Sequence, residues 1–142
     1  MGNVIGPKMA KSSTIRIAAA IINNTQGHTL LVRKLGTQMF IQPGGKINPN
    51  ETPLDALHRE LGEELNCTPL RTRFCGHFSA PAVNEPQHLV EAAIYFVDIE
   101  GSVAPASEIA EIAWVDPKNP GDLQIAPLTR DHVLPLAQSE QA

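Results

Sequence analysis

The sequence predicts an α+β or α/β domain in which a mixed β-sheet is sandwiched between helices. Three observations carry this. Short β-branched, apolar runs separated by turn residues recur through most of the chain, one strongly specified amphipathic helix interrupts them after the third run, and a second helical stretch lies near the end. The 142 residues, 42% hydrophobic and 18% charged, fit one globular domain that can bury a core without staples. We expect residues 1–12 to be a flexible lead-in and residues 13–142 to be the domain.

The runs STIRIAAAII (13–22) and TLLVRKL (29–35) flank the polar NNTQGH and predict a hairpin. QMFIQP (38–43) is a third short strand, stopped by Pro43 and the Gly44–Gly45 pair. The helix that follows is the best-specified element. Thr52 serves as N-cap, Pro53 suits the first helical position, and Asp55 stands three residues after the cap. Leu54, Leu57, Leu61 and Leu65 form one apolar stripe, and Asn66 tolerates the left-handed conformation that ends a helix, so it spans 53–65. RTRFCGHFSA (71–80) and HLVEAAIYFVDIEG (88–101) are two further strands around the loop PAVNEPQ. EIAEIAWVD (108–116) is the last strand, before PKNPGD. Residues 125–136 are expected to be a helix with Leu128, Val133, Leu134 and Leu136 inward.

Composition excludes several classes of function. A net charge of −4 and a pI near 5.7 leave no basic stripe for a nucleic-acid polymer. No apolar run approaches the roughly 18 residues of a membrane span, and the first residues lack the apolar centre of a signal peptide. Cys67 and Cys75 have neither CxxC nor zinc-site spacing, so two reduced thiols in a cytoplasmic protein are expected. The five histidines show no ligand spacing.

The helix gathers its charges on one side. With Leu54 at zero, Arg59, Glu63, Glu60 and Glu64 fall at roughly 140°, 180°, 240° and 280°, next to the leucine stripe. Energetics leaves two readings open. Exposed like charges four residues apart cost only about a few tenths of a kcal/mol, so the acids can form a solvated face. Alternatively, something positive sits among them.

Gly45 is followed after five residues by Glu51, and after seven more by Arg59, Glu60, Leu61, one variable residue, Glu63 and Glu64. This stretch resembles the Nudix box, G-x5-E-x7-R-E-U-x-E-E-x-G-U, where U is a bulky aliphatic residue. Two positions depart from it: Asn66 replaces the late glycine and Cys67 the final aliphatic. Neither change removes an oxygen ligand. FIQPGGK, just before, is similar to the strand and loop that lead into the box in MutT-like members.

The resemblance implies the Nudix fold and a pyrophosphohydrolase that splits a nucleoside diphosphate linked to another group, using Mg²⁺ or Mn²⁺. It implies Glu60, Glu63 and Glu64 as metal ligands, with the Gly44 carbonyl as a further one. Glu51 and Arg59 would orient the loop and the ligand carboxylates, and Glu60 or Glu63 would be the general base. All-carboxylate ligation independently suits a hard cation that keeps its waters and argues against zinc. Outside the box, Glu108 in SEIAEIAW resembles an acid that some members place before a Trp strand, with Glu111 as the neighbouring option.

Arg33 and Lys46 are candidates for substrate phosphate, and Gly45 for close backbone approach. Phe78 and Thr129 are candidates for lining a pocket, while most other aromatics belong in the core. The expected partner is a small nucleotide: a nucleoside triphosphate, oxidised or not, cleaved to monophosphate and pyrophosphate by a monomer or homodimer. One alternative is an ADP-ribose, nucleotide-sugar or dinucleoside polyphosphate hydrolase; in the first and last of these groups a marker Pro or Tyr often falls where this chain has Val83. Another is a non-catalytic Nudix scaffold, although such members typically lose box carboxylates.

Overall fold

The strand β1 (Ser13–Ile21) lies at the centre of the molecule because its AAAI end is apolar and small on both faces. In the computed structural model, which describes residues 13–83 and 85–139, it is followed by β2 (Thr29–Lys34), β3 (Phe40–Ile41) and β4 (Gly44–Lys46). Then come α1 (Pro53–Leu65), β5 (Thr68–Pro81), β6 (His88–Glu100), β7 (Ile109–Val115), a π-helical turn (Thr129–Val133) and α2 (Leu134–Ser139). The expected lead-in at 1–12 lies outside the described residues.

The strands form two sheets rather than one. Four strands run in the order β4-β1-β6-β5, and three in the order β3-β2-β7. The β1–β6 pair is parallel, from Ser13 opposite His88 to Ile21 opposite Phe96, and the remaining pairs are antiparallel, so the larger sheet is mixed. The expected hairpin is corrected accordingly. Its base survives, with Leu30 N–H bonded to the Ile22 carbonyl at 2.9 Å, but β1 then pairs with β4 and β6 while β2 pairs with β3 and β7. The Gly44–Gly45 pair also does more than stop a strand. It is part of β4, where Ala18 opposes Gly45 and Ala19 opposes Gly44.

Helix α1 has the predicted boundaries. The Thr52 hydroxyl accepts from Asp55 N–H and the Asp55 carboxylate accepts from Thr52 N–H, both at 3.1 Å, and Asn66 closes the helix at φ 53°. Its buried face is rotated toward the acids relative to the leucine stripe. Leu57, Leu61 and Leu65 are fully buried, but so is Ala56, Glu64 is 4% exposed, and Leu54 is 37% exposed. Each fully buried leucine contributes about 1.5–3 kcal/mol of transfer free energy, so the three hold α1 firmly against Ala18 and Ala20 of β1 and Leu30 and Val32 of β2.

The C-terminal segment packs on the other face. Leu128, Val133 and Ala137 meet Ala19 and Ile21, while Leu134 meets Leu31 and Phe40. It differs from the helix expected over 125–136. Ile125 bridges to Phe40, helical structure begins at Pro127, and from Thr129 it widens into a turn in which Leu134 N–H bonds to the Thr129 carbonyl. Pro135 explains this: it has no N–H to offer the Asp131 carbonyl and its ring would press on it, which the wider turn relieves. No helix among the described residues is long and apolar enough to cross a membrane.

Candidate active site

The Gly44–Gly45 backbone forms a thin wall, with carboxylates on one side and an apolar cleft on the other. A side chain at Gly44, whose φ is +130°, would collide with the Ala18 carbonyl oxygen, so only glycine brings β4 this close to β1. Gly44 N–H donates to Glu64 Oε1 at 3.2 Å. At Gly45 a methyl group would sit 2.5 Å from the Glu60 carboxyl, so the missing side chain is the room that Glu60 occupies.

Arg59 organises the acids. Its guanidinium donates to both oxygens of Glu51, at 2.6 and 2.8 Å, to the Lys46 carbonyl at 3.0 Å and to Glu60 at 3.0 Å. Glu63 is farther away, at 3.6 Å, and its side chain is 56% exposed. The bidentate bond from Arg59 and the Asn48 N–H pull the Glu51 carboxyl down to about 2, and the same pairing raises Arg59. This fork ties the loop after β4 to the middle of α1.

Glu64 differs in kind. Burial pushes its carboxyl up to about 7; the Gly44 N–H and the Lys34 charge oppose the rise, and Glu60 and Glu63 add to it. Like charge has therefore been placed where water cannot screen it. That removes the solvated-face reading for Glu64.

Glu60, Glu63 and Glu64 line a pocket of about 140 Å³ together with Lys34, Ser107 and Glu108. Glu108 arrives through the loop before β7, where Ala106 N–H bonds to the Glu64 carbonyl at 2.9 Å and Ala104 N–H to the Leu65 carbonyl at 3.3 Å. The loop thus satisfies carbonyls that the end of α1 leaves open. Glu111 does not reach the pocket. It faces Arg33 at 2.9 Å, and Arg33 also donates to the Thr37 carbonyl at 2.8 Å.

Arg33 is thereby turned away from the site, and Lys34, its neighbour, takes the place that sequence reasoning assigned to it. Strand alternation held that signal, since Leu30 and Val32 face α1 and Lys34 continues their side.

The donors present, three carboxylates with a buried member, suit a hard divalent cation. Among the described residues no three His, Cys, Asp or Glu side chains are drawn into ligating geometry, and Glu60 is held by Arg59. Rotation of the exposed Glu63 and of Glu60 would bring their oxygens toward Glu64.

On the other side of the wall lies a cleft of about 210 Å³. Lys34, Lys46, Glu85 and both glycines line it, together with the apolar Ile15, Ile17, Ile41, Val90 and Leu128. Thr129 lines it as expected; so do Gln42 and Val83. Phe78 does not: it packs against the β1 and Val133 cluster and lies 5.3 Å from the His132 ring.

A family model for the NUDIX domain matches residues 14–136. The 8-oxo-dGTP diphosphatase of Haemophilus influenzae is 41% identical over 68 residues, 45% of this chain and 50% of that protein. The RNA pyrophosphohydrolase of a Psychrobacter species is 45% identical over 49 residues, 34% of this chain and 28% of that protein. The chain thus spans half of the first relative and just over a quarter of the second. The crystal structure of a MutT protein from Methanosarcina mazei superposes with a TM-score of 0.75 at 24% identity, covering 92% of this chain and 97% of that one, so the two share a fold. With the box residues assembled between β4 and α1 and the family match running almost from end to end, the chain belongs to the Nudix family.

Proposed function

We propose that this protein is a divalent-metal-dependent pyrophosphohydrolase of nucleoside triphosphates, with intact or oxidised bases, releasing a monophosphate and pyrophosphate. One observation carries the reading: a carboxylate pocket and an apolar cleft share Lys34, and the two glycines that line the cleft back onto Glu60 and Glu64. A nucleotide laid across that wall has its base among isoleucines and its phosphates beside Lys34 and Lys46. The relatives' names, a diphosphatase and a pyrophosphohydrolase, are consistent with cleavage of a phosphoanhydride.

In this reading Glu60, Glu63 and Glu64 would hold Mg²⁺ or Mn²⁺, with the Gly44 carbonyl as a further ligand. When bound, the cation neutralises phosphate oxygens and lowers the pKa of a coordinated water. The protein's own groups do the rest. Lys34 and Lys46 attract and orient the phosphates, the glycine backbone allows close approach, and Arg59 with Glu51 fixes where Glu60 points. Glu60, Glu63 and the exposed Glu108 are placed to take a proton from water at the pocket mouth. The net charge of −4 favours a small nucleotide over a polymer. Cys67 and Cys75, neither of them in a disulfide, accord with a cytoplasmic setting, and a monomer or homodimer belongs to the same proposal.

The test is pyrophosphate release from a panel of triphosphates, nucleotide sugars and dinucleoside polyphosphates, with and without Mg²⁺, for wild type and Glu63→Gln. Metal-dependent turnover of triphosphates, much reduced in the variant, is expected. Metal-bound protein that hydrolyses nothing would instead identify a binding scaffold.

A further inference from the structure

Gln42 and Thr129 are two polar side chains buried in an otherwise apolar wall of the cleft, at 5% and 0% exposure. They come from opposite ends of the chain. Gln42 lies between β3 and β4, and Thr129 opens the wide helical turn, of a kind that recurs at functional sites. The Thr129 hydroxyl donates to Gln42 Oε1 at 2.6 Å. In this arrangement the carboxamide oxygen faces Thr129, and both N–H groups on Nε2 are left over. Among the described residues they donate to no protein acceptor. Buried donors that no protein group satisfies are costly to leave unpaired, and a ligand oxygen placed on them removes that cost.

We propose, building on the nucleotide reading above, that Gln42 is a specificity-determining residue that reads an exocyclic carbonyl oxygen of the nucleobase, with Thr129 holding its amide in the donor orientation. Ile15, Ile17, Ile41, Val90 and Leu128 supply the apolar surface against which a flat ring rests. Lys34, which lines both this cleft and the carboxylate pocket, sets the direction of entry, base toward Gln42 and phosphates toward the glutamates. A keto base presents an acceptor to the two N–H groups; an amino base presents its own donor there and leaves them unpaired. The cleft therefore selects 6-oxopurines over 6-aminopurines and, by the same logic, uracil over cytosine.

The experiment compares kcat/KM for ITP with ATP, and for UTP with CTP, using the full chain with Mg²⁺. Wild type is expected to favour the keto member of each pair by about tenfold or more, the scale of one buried hydrogen bond lost. Gln42→Leu, close in shape and apolar like its surroundings, should bring both ratios near one, mainly by slowing the keto substrates. Thr129→Val should narrow the ratios by freeing the amide to turn over, and Thr129→Ser should keep them. The Thr129 pair carries the test if Gln42→Leu does not fold. Triphosphate turnover with ratios near one in wild type, or ratios unchanged in Gln42→Leu and Thr129→Val, overturns the base reading alone. No turnover of any triphosphate by wild type overturns the proposed function and this inference with it.

Discussion

Gly44 and Gly45 are neighbours in sequence, yet alanine should act on them in opposite ways. At Gly45 the three atoms nearest the added methyl all belong to the Glu60 carboxyl, at 2.5 Å, which must withdraw by roughly 0.9 Å to reach the 3.4 Å at which contact becomes ordinary. That carboxyl is the end of a flexible side chain and the Gly45 backbone is not in the left-handed region, so stability should fall by no more than about 1 kcal/mol. The displaced group, however, is one we assign to the reaction, and a misplacement of about 1 Å at a reacting centre can cost on the order of 10²-fold in rate. At Gly44 the methyl strikes backbone at Ala18, which cannot swing aside, and φ is +130°. Gly44→Ala should lose on the order of 3 kcal/mol. Urea unfolding gives the stabilities, and pyrophosphate release from a triphosphate gives kcat/KM. A Gly45→Ala protein with wild-type kcat/KM would refute the placement of Glu60, and equal destabilisation at both positions would refute the account of the wall.

Three further outcomes follow from the same geometry. Lys34→Ala should raise KM for triphosphates about tenfold, whereas Arg33→Ala, which loses only its contacts to Glu111 and Thr37, should leave KM unchanged; equal effects in steady-state kinetics would sink the assignment. Glu51 is held at about 2 against an ordinary 4.5, so its pairing with Arg59 stabilises fully above pH 4.5 and fades as pH falls through about 2. Arg59→Met should therefore move the acid unfolding midpoint, followed by circular dichroism, to higher pH. Glu64 has the opposite sign: its folded value is about 7 against 4.5, so its contribution is fully present below pH 4.5 and lost as pH rises through about 7, by roughly 3 kcal/mol in metal-free protein. Glu64→Gln should flatten that slope in thermal melts recorded with EDTA, and a slope that persists would contradict the burial argument.

What could be seen in advance was local. The bounds of α1 follow from Thr52, Pro53, Asp55 and Asn66, whose preferences act within a turn or two, and the carboxylate spacing is likewise a property of one helix. What was hidden was relational. Nothing within residues 13–35 says that β1 and β2 part after the Ile22–Leu30 bond, because the strands that separate them, β4 and β6, come later in the chain. Arg33 and Lys34 are equivalent as charges, and only knowing which side of β2 faces α1 separates them. Gln42 looked like a strand-end residue until Thr129, 87 positions later, closed on it. Pro135 was present as a warning that the last helix would not be regular, since a proline within a helix removes a bond and crowds the preceding turn.

Glu64 joins the stability argument to the functional one. A carboxylate with a folded value near 7 and like-charged neighbours works against the fold that encloses it, and leucine at that point of α1 would extend the buried face already formed by Leu57, Leu61 and Leu65. The fold meets the carboxylate with the Gly44 N–H, which only the glycine backbone of β4 can bring within 3.2 Å, and with the Lys34 charge. Both groups also line the cleft where the phosphates are proposed to lie. The features that let the protein tolerate a buried acid are thus the ones that would bind its substrate, which is why a stabilising substitution at Glu64 is expected to abolish activity rather than improve the enzyme.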